Sequence, residues 1–109
     1  MAMTYKVLGQ VNPTANTLTT LYTVPTGNSA VISTVTIANL DSIASSFRIA
    51  MRPSGEAVDN KHYINYDVSL AGNDTITATL GITLAANDVV SVNASSSLIA
   101  FSAFGSEIY

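Results

Sequence analysis

The stretch "AGNDTITATLGITLAANDVVSVNA", residues 71 to 94, carries the pattern that decides the fold. Ile76, Ala78 and Leu80 alternate with Thr75, Thr77 and Thr79. Successive side chains on a strand point to opposite faces, so this reads as a strand apolar on one side and polar on the other. The scheme Ala-X-Asn-Asp followed by a strand occurs twice, 14 residues apart, at 71–74 and 85–88. Asn-Asp suits a turn because both side chains bond nearby backbone amides. A spacing this short fits two similar hairpin arms, not a solenoid or propeller array.

Working outward, the same vocabulary covers the chain. Beta-branched residues separated at short intervals by Gly, Asn, Asp and Pro place strands near Tyr5–Gln10, Leu18–Val24, Ala30–Asn39, Phe47–Arg52, Tyr63–Ser69, Thr75–Leu80, Val89–Asn93 and Leu98–Phe104. Turns fall at "VPTGNS" (24–29), "RPSGEAVDN" (52–60), "LAGND" (70–74) and "LAAND" (84–88). No window carries a 3.6-residue stripe, and the Ala-rich 84–88 turn allows one helical turn at most.

Alternation assigns faces. Val31, Val35 and Ile37 share a parity; Phe47, Ile49 and Met51 alternate with Arg48 and Arg52. In the following strand His62, Ile64, Tyr66 and Val68 alternate with Lys61, Tyr63, Asn65 and Asp67. About eight short antiparallel strands, each apolar on one side, form two sheets closed over one core. The expected fold is all-β: a single β-sandwich, jelly-roll or immunoglobulin-like, over residues 1–109. Residues 1–16, with Asn12 and Pro13, read as an extended N-terminal arm able to add a strand to a neighbour.

Composition narrows the function classes. Charged residues make up 10% of the chain, against about 25% in typical domains, and Thr, Ser and Asn (13, 13 and 9) supply the missing polarity. A net charge of −3 argues against nucleic acid as a partner, because phosphate binding needs clustered Lys and Arg. With no cysteine there is neither disulfide nor thiolate chemistry. The mean hydropathy is +0.36, and no charge lies between Lys6 and Asp41. That interval is nevertheless broken by Pro, Gly, Thr and Asn, so no membrane span is expected. The opening "MAMTYKVLGQ" lacks an apolar signal core.

The charge that exists is concentrated. "RIAMRPSGEAVDNKHYINYDV", residues 48–68, holds three of the four basic residues, three of the seven acidic ones and the single histidine. A nucleophile triad would need His62 bonded to a Ser or Thr and oriented by an acid, yet no G-x-S-x-G elbow occurs. One histidine with no cysteine is a poor basis for zinc. Asn73-Asp74 and Asn87-Asp88 offer one carboxylate each, without calcium-loop spacing. Asp59 and Asp67 do not form a glycosidase pair on sequence grounds. No catalytic residue, metal ligand or cofactor site is therefore expected, and His62 reads as a packed residue opening a strand.

What remains is a face. If the strands at 47–52 and 63–69 are neighbours, opposite charges stand across from one another on a solvated surface, a weakly stabilising arrangement. Arg and Tyr are also the residues enriched at interface centres. Arg48, Arg52, Lys61, Tyr63 and Tyr66 are the candidate interface residues.

"NKHYINYDVSLAGNDTITATLGITLAANDVVSVNA" (60–94), with the closing "FSAFGSEIY" (101–109), resembles small virion proteins of tailed bacteriophages, marine and cyanobacterial phages in particular. The resemblance implies a structural role and offers no catalytic motif to carry over. It leads to the expectation of a non-enzymatic capsid decoration or cement protein on the outer surface of the virion. Such a protein binds the assembled major capsid protein lattice, as a homo-oligomer (trimer or dimer), with no nucleic acid and no membrane. The alternative is a phage neck, tail or fibre component, including a receptor- or glycan-binding sandwich.

Overall fold

The computed structural model describes residues 2–109. Each expected strand is present: β1 (Met3–Val11), β2 (Thr19–Thr23), β3 (Ser29–Asn39), β4 (Ser45–Arg52), β5 (Tyr63–Leu70), β6 (Thr75–Leu84), β7 (Val89–Ala94) and β8 (Ile99–Ile108). Between β4 and β5 lie two short 3-10 turns, Pro53–Gly55 and Asn60–His62. Residues 84–88 turn without forming a helix.

Two four-stranded antiparallel sheets pack face to face, ordered β1-β8-β3-β6 and β2-β7-β4-β5. Only β4 and β5 are consecutive and paired; every other connection crosses from one sheet to the other. The pairs β1/β8, β2/β7, β3/β6 and β4/β5 describe one long hairpin folded at its middle and rolled up. That is the jelly-roll order, which decides between the two expected sandwich types. Met3–Val11, expected as an arm, pairs along its length with β8 of the same chain.

The core lies between the sheets. Ile32, Val35, Ile37 and Phe101 from one sheet meet Phe47, Ile49, Val90 and Val92 from the other, all buried. Phe47 and Phe101 bridge the layers edge to face, with centroids 6.1 Å apart. A fully buried side chain of this size contributes about 1.5–3 kcal/mol.

The ladders are interrupted in β1, β2, β3 and β5; the shifts in β3 and β5 are bulges, where one strand gains a residue and its parity flips. In β3 the register shifts between Ile32 and Thr34 against both neighbours: Ser33 is the extra residue against β8, and against β6 it stands opposite Leu80 and Gly81. Ile32 is therefore the core residue, and Val31 turns to the outer face instead of sharing the side of Val35 and Ile37. In β5, Val68 pairs with Phe47 and Asn65 with Ile49, so Tyr66 and Asp67 together oppose Arg48. Asp67 occupies the left-handed region (φ 52°). Ile64 and Tyr66, expected on the same side as Val68, are exposed, while Val68 packs against the core.

The Asn-Asp pairs are turns as expected, but not of hairpin arms: each joins strands of opposite sheets, β5 to β6 and β6 to β7. Asn73 (φ 55°) and Asn87 (φ 69°) take the left-handed conformation that Asn tolerates. Asp88 accepts hydrogen bonds from the backbone amides of Ala85 and Ser54 (2.9 Å each), tying the turn to the segment after β4.

Candidate functional site

The β5 bulge builds the most organised surface of the molecule. Because two residues oppose one, both Tyr66 and Asp67 face Arg48 on the outer side of their sheet. Asp67 takes the Arg48 guanidinium in a two-point clamp, Nε to Oδ1 at 2.7 Å and Nη2 to Oδ2 at 3.2 Å. The guanidinium carbon sits 4.0 Å from the Tyr66 ring centroid. Tyr63 stands nearly perpendicular to Tyr66, with centroids 4.9 Å apart and planes at 84°. The Arg48 hydrogen bonds hold the Asp67 carboxyl below the usual range, and the same bonds keep Arg48 protonated. At this surface position the clamp contributes order rather than stability.

Of the five candidate interface residues, the structure brings Arg48, Tyr63 and Tyr66 together. Arg52 shares their sheet but points elsewhere, with Nε donating to the Ser91 hydroxyl at 3.2 Å and Nη1 to the Glu56 carbonyl at 3.0 Å. Lys61 is exposed on the 60–62 turn, with no ion-pair partner among the described residues.

His62 is spent on the loop. It is 5% exposed. Its Nδ1 accepts the Asp59 amide at 3.0 Å, while the Asp59 carboxylate accepts the Asn60 amide at 2.8 Å. Nε2 lies 3.3 Å from Glu56 Oε1. An Nδ1 that accepts an amide leaves the proton on Nε2, so the ring is the neutral tautomer donating to Glu56. Both nitrogens therefore serve to fix the 56–62 segment.

Two hollows flank this segment. One, of about 420 Å³, is lined by Asn60, Tyr63 and Tyr66. Its neighbour, of about 350 Å³, shares Tyr63 and runs past Met51, Pro53, Lys61 and Ile64.

Sequence reasoning missed a second surface. On the outer face of the β1 sheet, Val7 pairs with Phe104, Tyr5 with Ser106, and Met3 with Ile108. Val31, displaced outward by the Ser33 bulge, pairs with Ser106 from the other side. Tyr5 is 81% exposed, and Met3 and Val7 are exposed as well. The apolar alternation of Met3, Tyr5 and Val7 was legible, but only the strand order places Phe104, Ile108 and Val31 beside it. Contiguous exposed apolar area of this kind marks interaction sites.

No family model and no curated protein matches the chain. Among solved structures, a chain in the structure of infectious bursal disease virus, Gx strain, matches with a TM-score of 0.50 over 97% of this protein at 9% identity. The protein spans about a third (31%) of that chain's length. At this identity the likeness establishes a shared β-sandwich architecture.

Proposed function

We propose that this protein is a non-enzymatic virion structural protein, a capsid decoration or cement protein of a tailed bacteriophage. It binds the assembled major capsid protein lattice and sits on the outer surface of the head. The observation that carries this reading is the apolar outer face of the β1 sheet, with Met3, Tyr5 and Val7 exposed beside Phe104, Val31 and Ile108. A protein that worked alone would gain nothing from leaving this row in water, whereas docking on a lattice removes it from water at every copy. The jelly roll is also an architecture common in viral shells, and the matched chain comes from a virus structure. Fold by itself does not assign function, so weight falls on the surface.

Cementing follows from mass action: whatever binds the assembled shell better than loose subunits stabilises the shell. Many modest contacts repeated around a particle multiply through effective concentration. The near-neutral Thr/Ser/Asn surface keeps closely spaced copies soluble. Trimers or dimers at lattice symmetry axes are the matching arrangement.

The test uses shells lacking this protein, with purified protein added back. Wild type is expected to co-sediment at hundreds of copies per particle and to raise the temperature of shell disruption. Tyr5→Asp, folded by circular dichroism, is expected to lose both effects. Wild type that fails to bind shells overturns the reading. A dozen or fewer copies per virion would instead place the protein at the neck or tail.

A further inference from the structure

We infer that the groove along β4 and β5, walled by Tyr63 and Tyr66, binds a neutral oligosaccharide. This site lies on the sheet opposite the apolar docking face, and the inference stands independently of shell docking.

The geometry selects the ligand in steps. Two aromatic rings at 84° with centroids 4.9 Å apart make a corner with one wall on each side. Arg48 lies over Tyr66, and the clamp to Asp67 holds Arg48 in place. Tyr66 nevertheless remains 55% exposed. A fixed aromatic wall is preorganised, so binding to it costs little ordering. The hollow of about 420 Å³ falls in the size range of small-ligand sites, and the adjoining one of about 350 Å³ continues it past Tyr63. That continuity suits a chain of rings rather than a single one.

Charge decides the next step. The two charges at the corner, Arg48 and Asp67, neutralise each other at 2.7 Å. No cation lines the larger hollow, and in the adjoining one Lys61 is accompanied by Glu56, so the groove carries no net positive charge to favour an anionic ligand. What lines the larger hollow is a mixed set of donors and acceptors: the Asn60 amide and the Tyr63 and Tyr66 hydroxyls. Asn60 stands at the edge of a turn fixed by Asp59 and His62, and its side chain has no hydrogen-bond partner among the described residues. Hydroxyl groups donate and accept at once and match such a rim. The C–H face of a pyranose, meanwhile, presents flat apolar surface to a tyrosine ring.

Peptides fit less well. An extended peptide would add to the free edge of β5, but two register shifts there interrupt the ladder it would need. A proline-rich helix presents carbonyl acceptors and few N–H donors, leaving the Asn60 oxygen unmatched.

The experiment probes the full-length, labelled protein on an array of immobilised neutral and anionic oligosaccharides, including bacterial surface polysaccharides. The expected result is binding to neutral members that weakens about ten-fold or more in Tyr66→Ala, the loss typical of truncating a packed aromatic anchor. Asn60→Ala, on an exposed turn with no intramolecular side-chain bond, keeps the test open should Tyr66→Ala unfold, and is expected to weaken the same members. Tyr5→Asp is expected to bind like wild type, which separates this site from the docking face. Absence of any bound glycan overturns the inference, as does binding confined to anionic members or undiminished in both groove variants. Displacement of bound glycan by a proline-rich peptide that itself binds more tightly would reassign the groove to peptides.

Discussion

Glu107 shows how one side chain depends on the rolled topology. Parity places it on the inner face of β8, where it is 7% exposed and would be costly unpaired. The Tyr22 hydroxyl donates to Oε2 at 2.6 Å from the opposite sheet, and Lys6 Nζ reaches Oε1 at 3.2 Å from β1. The Tyr22 bond is the largest influence holding the carboxyl below its usual range; burial opposes it, and Lys6 assists. Burial and then Glu107 push the Tyr22 hydroxyl up in turn. A carboxyl with a folded pKa below its unfolded value stabilises the fold fully above the unfolded pKa, and that stability is lost as pH falls through the folded one. Chemical denaturation across the acid range is expected to give a shallower loss of stability in Glu107→Gln than in wild type. Tyr22→Phe is expected to cost about 1–3 kcal/mol at neutral pH, since it leaves a buried carboxylate short of a donor. An unchanged denaturation midpoint would mean that water replaces the hydroxyl.

At the scale of elements, the bulges matter more than the strands. Had β3 and β5 alternated without interruption, Val31 would be core and lost from the apolar face, and Tyr66 would face inward, leaving no tyrosine corner. Close approach at the β3 bulge also restricts β8: a Cβ on Gly105 would stand 1.9 Å from the Val31 carbonyl oxygen. Gly105→Ala must therefore move backbone, and is expected to destabilise by about 1–3 kcal/mol or more, as overpacking does. Gly81, at φ +61° in β6, has open space around its Cβ position. Gly81→Ala is accordingly expected to cost only about 1 kcal/mol, the conformational penalty without the clash. Paired urea melts of the two variants check the ranking, and equal losses would contradict it.

For the whole molecule, the consequence of the jelly roll is non-local pairing. Met3 meets Ile108 and Thr19 meets Val92, so the outer turns of the roll close only after most of the chain is in place. Topologies of this kind fold in milliseconds to seconds, not microseconds. Stopped-flow refolding with tyrosine fluorescence is expected to give a main phase in that window. A microsecond phase carrying most of the amplitude would contradict the role assigned to β1–β8 closure.

The sequence by itself determined the strands, the turns at Asn-Asp and Gly, and the two-sheet sandwich; the meeting of Arg48 with Asp67 was conditional on β4 and β5 being neighbours, which the pairing supplies. The strands, turns and sandwich follow from local alternation and turn chemistry, which neighbouring residues encode. It left the choice between jelly roll and immunoglobulin-like order open, because period-two patterning states which face is buried and not which strand lies alongside. It also misplaced Val31, Ile64 and Tyr66, since a bulge is one extra residue whose position depends on the partner strand, and the left-handed φ of Asp67 that marks the β5 bulge exists only in the folded chain. Tertiary structure alone decided the apolar face, because β1, β8 and β3 are distant in sequence and only lateral pairing brings their side chains onto one surface; the tyrosine corner lies on the consecutive strands β4 and β5, and what decided it is the bulge that turns Tyr66 outward.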